Sequence, residues 1–194
     1  SGLTPLQALQ LGLHVDIDSL NAPTRAAVRD AVTMIQNGAD PTTTVLGDPA
    51  ATLSMINQNA VLGVVAFDPS GTRKPLGATD TLDLAMGDRV GISCALCHAI
   101  TDHSVLPATP TLQTTGSIGS RVDGPTPHGL DVGAILASAD RTLAYYPMLQ
   151  LRFDALGGAT IGRGDFTGLS EAAAESQADA YLTGTSGSGA RHYP

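Results

Sequence analysis

The sequence predicts a mainly α protein with at most one short β-hairpin. Three observations carry that expectation. Capped stretches with apolar residues at helical spacing recur near residues 5–13, 23–36, 50–57, 131–139 and 171–182. Only one stretch, Ala60 to Phe67, is a β-branched apolar run of strand length, and a turn signal, Asp68-Pro69-Ser70-Gly71, follows it. The two cysteines, Cys94 and Cys97, fall in a segment, Arg89 to Ile100, that reads as a further helix capped by Asp88.

Each element has a local reason. Thr4-Pro5-Leu6-Gln7 is a capping box with proline at the first helical position, and Leu6, Leu9 and Leu13 share a face. From Pro23 to Gln36, Val28, Ala31, Val32 and Ile35 keep helical spacing, and Asn37-Gly38 stops the run. Asp48-Pro49 opens a shorter helix from Ala50 to Asn57. Residues 80–86 fit neither pattern. Residues 104–130, rich in Pro, Thr, Ser and Gly, read as a long loop of the kind that serves a function or wraps around something. Asp131 caps a helix through about Ala139. Residues 145–168 read as irregular, and Ser170 caps a last helix ended by Gly184.

The totals exclude several classes. Eighteen acids against ten bases give a net charge of −8, so nucleic acid is not an expected partner, whereas a basic protein is. No apolar run approaches the roughly 20 residues that span a bilayer, and a soluble chain is expected. Trp is absent, and the four Tyr and three Phe leave a core poor in rings. The abrupt end at Pro194 suggests that the native chain continues.

With only two cysteines there is no disulfide framework, and the pair has a local task. Residues 94–98 read Cys94-Ala95-Leu96-Cys97-His98, the C-x-x-C-H pattern of covalent haem attachment. Two thiols separated by two residues on a helical turn reach the two vinyl groups of a haem. The next residue then sits under the iron, where its imidazole binds. A thioredoxin-like redox pair, a zinc site enlisting Cys94, Cys97, His98 and His103, and a short disulfide are the competing readings.

Around this motif the chain resembles monohaem cytochromes of the class I type. Gly91-Ile92-Ser93-Cys94 through His98 is similar to the helix that ends in the haem motif. Leu169-Ser170-Glu171 through Ala180-Tyr181-Leu182 resembles the closing helix. The resemblance covers about residues 88–183. It implies a cytochrome c-like helical core around one haem c, held through Cys94 and Cys97, at 88–183. A helical N-terminal extension at 1–87 would pack on that core, and 184–194 would form a flexible tail. It also implies electron transfer in the periplasm or outside the cell, the iron cycling between ferrous and ferric states.

His98 is the expected proximal ligand. For the opposite side of the iron Met148 comes first, held after Pro147, and His128, in the stiff segment Gly124-Pro125-Thr126-Pro127-His128-Gly129, second. His103, His14, His192, Met34, Met55 and Met86 follow. Arg121 and Arg141 are candidates to pair with the haem propionates through forked hydrogen bonds. No acid–base pair, nucleophile triad or phosphate loop is legible, which favours an electron carrier serving redox partner proteins. The alternatives are a haem enzyme or gas sensor with an open distal position, and a haem subunit of a larger or self-assembled complex.

Overall fold

The chain is described by a computed structural model that covers residues 2–77 and 81–132, together with 135, 170, 172, 173 and 176. The first helix, α1 (Pro5–Gln10), starts where the capping box places it: the Thr4 side chain accepts from the Gln7 N–H, and Gln7 Oε1 accepts from the Thr4 N–H. Helix α2 (Ala22–Gln36) is capped by Asn21, whose side chain accepts from the Thr24 N–H, and it buries Val28, Ala31 and Val32. Helix α3 (Pro49–Asn57) is capped by Asp48 and buries Ala51 and Met55. Single 3-10 turns at Pro41–Thr43 and Val45–Gly47 join α2 to α3, and Leu46 between them is fully buried.

Among the described residues seven short strands accompany these helices. They are β1 (Val15–Asp16), β2 (Val64–Phe67), β3 (Arg73–Lys74), β4 (Arg89–Ile92), β5 (Ala99–Thr101), β6 (Ile118–Gly119) and β7 (Arg121–Asp123). They form three small sheets: β1 parallel to β6, β2 between β3 and β4 in antiparallel pairing, and β5 antiparallel to β7. The fold is therefore mixed α/β, and the mainly α, cytochrome c-like helical core with a single hairpin is corrected. The expected hairpin is present as β2–β3, its turn closed by Gly71 N–H donating to the Asp68 carbonyl. The other two sheets were not anticipated.

The largest local correction falls on the segment 89–100. It is a strand, one helical turn and a second strand: β4, then α4 (Ala95–His98), then β5. The β-branched pairs Val90/Ile92 and Ile100/Thr101 flank the motif and favour extended backbone, which confines the helix to the motif itself. Asp88 does not cap a helix. Its carboxylate accepts from the Lys74 ammonium and the Asp83 N–H, closing the loop ahead of β4. The stretch 104–130 likewise is no plain loop, since it supplies β6 and β7. Strands of two and three residues are too short to leave a periodicity in the sequence.

Residues 1–130 form one compact unit and residues 131–194 another. In the first, the β2–β4 ladder carries the chain across residue 87, so the motif and the N-terminal helices share that unit. Leu9, Val15, Ile17, Leu20, Val28, Met55, Leu96 and Ile118 are among its buried residues. In the second unit, Ile135 N–H donates to the Asp131 carbonyl. Ala173 N–H donates to Ser170 Oγ, the cap expected for the last helix.

Candidate haem-attachment site

The five residues of the motif are held at both ends by backbone. Upstream, Ser93 N–H donates to the Gly63 carbonyl at 2.8 Å. Within the turn, Leu96 N–H donates to Ser93 O and Cys97 N–H to Cys94 O at 3.1 Å, so the two cysteines bracket one closed turn. Downstream, Gly124 N–H donates to the His98 carbonyl at 2.9 Å. That last bond extends the β5–β7 ladder by one step, because Ala99 already faces Asp123. Gly63 fixes how closely the turn packs. Its φ is +78°, and a Cβ there would lie 2.3 Å from both the Leu96 N and Cα, so no side chain fits.

Exposure divides the motif by function. Leu96 is buried and anchors the turn, while Cys94 and His98 are exposed and Cys97 is half-buried. The two cysteines are not joined in a disulfide. Two thiols at the two ends of one turn, with an exposed imidazole immediately after, fit the covalent attachment of a haem and the ligation of its iron from one side. The zinc reading lacks its geometry, since among the described residues no group of three or more His, Cys, Asp or Glu side chains is placed to hold a metal ion.

The β5–β7 pair has two unlike faces. Ala99 and Thr101 are buried on one side, and Ile100 projects to the other together with its register partner Val122. On the buried side, Thr101 Oγ1 and Ser117 Oγ lie 2.6 Å apart, and Ser117 Oγ lies 2.9 Å from His14 Nδ1. His14 Nε2 is buried without a hydrogen-bond partner, and the His103 ring stands edge-on with centroids 6.3 Å apart. Burial, with a smaller contribution from the neighbouring His103, pushes the His14 pKa down to about 4. This polar chain gave no signal in the sequence, because its members are dispersed singly at positions 14, 101 and 117.

The remaining expected residues scatter. Arg121 lies in register with Thr101, hence on the face away from Ile100, and its Nε donates to Asp123 Oδ1 at 2.7 Å. The structure does not bring it to the side that carries Val122. His128 is exposed, four residues beyond Gly124. His14 is sequestered in the polar chain, and Met55 is fully buried. Met34 and Met86 are exposed, on α2 and on the 3-10 turn Leu84–Met86. Met148, Arg141 and His192 lie outside the described residues. Among the described residues no helix is long and apolar enough to cross a membrane. Comparison with protein-family models, with curated proteins and with solved structures finds no match in any of the three.

Proposed function

We propose that this chain is a c-type haem protein that transfers single electrons, with the haem carried on a mixed α/β scaffold. The observation that carries the reading is the sequence Cys94-Ala95-Leu96-Cys97-His98, folded as one turn with Cys94 and His98 turned outward. Bound there, the haem supplies a one-electron iron couple. Cys94 and Cys97 would hold the group by addition of each thiol across a vinyl group, the sulfur bonding one carbon and the proton going to the other, with no net oxidation. His98 offers its imidazole to the iron, and the bond from Gly124 N–H to its carbonyl holds its backbone in place. Leu96, whose backbone packs against Gly63, would hold the turn that carries the three side chains in place. The net charge of −8 suits docking to a basic redox partner. Attachment of this kind places the protein in the periplasm or outside the cell.

Visible spectra of protein made with a working cytochrome maturation system test the reading. The expected result is a sharp reduced c-type spectrum that carbon monoxide leaves unmoved. A weak far-red ferric band would assign the second ligand to Met148, and six-coordination without that band to His128. A reduced spectrum that shifts with carbon monoxide replaces the carrier with a haem enzyme or gas sensor. Absence of haem overturns attachment itself, and Cys94→Ser with Cys97→Ser provides the control.

A further inference from the structure

We propose that the outer face of the β5–β7 pair, running from Ile100 and Val122 to Gly124, is the seat of the haem macrocycle; this rests on the attachment reading above. The ladder register sets Ile100 against Val122 and, through the bond from Gly124 N–H to His98 O, His98 against Gly124. On β5 exposure alternates, with Ala99 buried, Ile100 half-buried and Thr101 buried; His98, the last residue of α4, is exposed, as are all three residues of β7. The face beside the imidazole is thus made of two β-branched apolar side chains and a glycine. At Gly124, φ is +104° and nothing lies within 4 Å of where a Cβ would stand, which leaves open space beside His98.

Val122 is 37% exposed, as is Ile92, which sits two residues ahead of Cys94 on β4. Ile92 thus precedes the two thiols on β4, half-buried Ile100 follows them on β5, and exposed Val122 pairs with Ile100 from β7. A flat apolar group tethered at Cys94 and Cys97 would cover them, and the covalent anchors leave it no more distant place to lie. The burial of apolar area then adds to the hold of the thioethers. The same contact keeps water from one side of the ring, which sets the local dielectric and with it the redox potential.

The experiment uses the full holoprotein with Val122→Asp and Val122→Lys, assayed for covalent haem per chain and for midpoint potential at low and high salt. Position 122 is exposed, so both variants are expected to fold and to carry one haem. A carboxylate against the ring stabilises the ferric state and an ammonium the ferrous state. The ferrous–ferric equilibrium should therefore move about tenfold or more in opposite directions, and the shift should survive high salt. Full haem with an unchanged potential in both variants, or shifts that salt abolishes, overturns the seat while leaving attachment intact. Wild-type chain without haem overturns the attachment reading and the seat with it. Gly124→Val supplies a second readout. It should disturb the Soret circular dichroism, and an unaltered Soret signal in a folded, haem-loaded variant would count against the seat.

Discussion

The two faces of the β5–β7 pair differ in what they carry. One holds buried Ala99 and Thr101, the latter hydrogen-bonded to Ser117 and through it to His14, together with the exposed Arg121–Asp123 pair, while the other holds Ile100 and Val122. A strand facing water ordinarily keeps its apolar residues in and its polar residues out. Here Thr101 Oγ1, Ser117 Oγ and His14 Nδ1 are hydrogen-bonded to one another, which makes their burial tolerable, and of these three side chains' polar atoms His14 Nε2 alone is left without a partner. On the opposite face Ile100 is half-buried and Val122 exposed. The difference teaches that on this pair the hydrogen-bonded polar side chains of Thr101, Ser117 and His14 lie inside, while the β-branched apolar pair Ile100 and Val122 lies on the opposite face.

The strongest way to break this arrangement is to move the turn that joins the two faces. Gly63→Ala would drive a methyl group into the Leu96 backbone at 2.3 Å and force a left-handed φ on alanine. The expected cost is about 4–5 kcal/mol, the sum of overpacking and backbone strain. Because the clash is with the motif turn, haem content should fall together with the melting temperature. A variant that melts like wild type and holds its full haem would show that the turn is not set by this contact.

The inward face is tested by Ser117→Ala. The substitution leaves Thr101 Oγ1 and His14 Nδ1 without the hydroxyl that both use, and His14 Nε2 already has no partner. Two orphaned buried groups should cost about 3–4 kcal/mol. The visible spectrum of the folded fraction should stay unchanged, since nothing on the outward face is touched. A spectral change with little loss of stability would mean that the two faces are coupled.

These residues also mark what the sequence could tell. The helices α1 and α3 were legible because Thr4 and Asp48 announce their starts, and α2 because apolar residues repeat at helical spacing up to Asn37-Gly38. The pattern Cys94-Ala95-Leu96-Cys97-His98 was visible because its five residues are contiguous. The segment 89–100 was misread as one helix because a four-residue turn between two short strands mimics helical spacing, and because Asp88 serves Lys74 and Asp83 instead of a helix end. The polar chain and the β1–β6 and β5–β7 sheets depend on pairs separated by 16 to 103 positions, and no local pattern records such pairings.

A milder probe is pH. The folded pKa of His14, about 4, lies below its ordinary 6.5, so the unfolded chain takes up the proton first as pH falls. Stability is therefore full above about pH 6.5, declines towards pH 4, and changes no further through this group below that. The span corresponds to about 3 kcal/mol at most. Asp68, Asp88 and Asp102 are held below the usual carboxylate value by hydrogen bonds from Ser70, Lys74 and Ser104 respectively. Their contributions are present above pH 3.8 and are lost only as pH falls further. The two windows are separable. In thermal melts, His14→Gln should flatten the slope between pH 6.5 and 4 and leave the more acidic slope in place. An undiminished slope in that variant would assign the effect elsewhere.

The smallest expected effect distinguishes the faces most sharply. Arg121 lies one position from Val122 along β7, yet the register turns it away, and its guanidinium pairs with Asp123 in a partly exposed setting. An exposed pair of this kind contributes about 0–1 kcal/mol. Arg121→Gln should accordingly melt within about 0.5 kcal/mol of wild type. Any change in midpoint potential should be a through-solvent effect that salt removes. A propionate partner would behave otherwise, since removing a guanidinium bonded to the haem would shift the potential in a way that salt does not erase. Side by side, Val122→Lys and Arg121→Gln alter charge at adjacent residues on opposite faces. A large salt-resistant shift for the first and none for the second is the pattern that places the haem on the outer face. The reverse pattern would put it across the strand, on the side of Arg121 and Asp123.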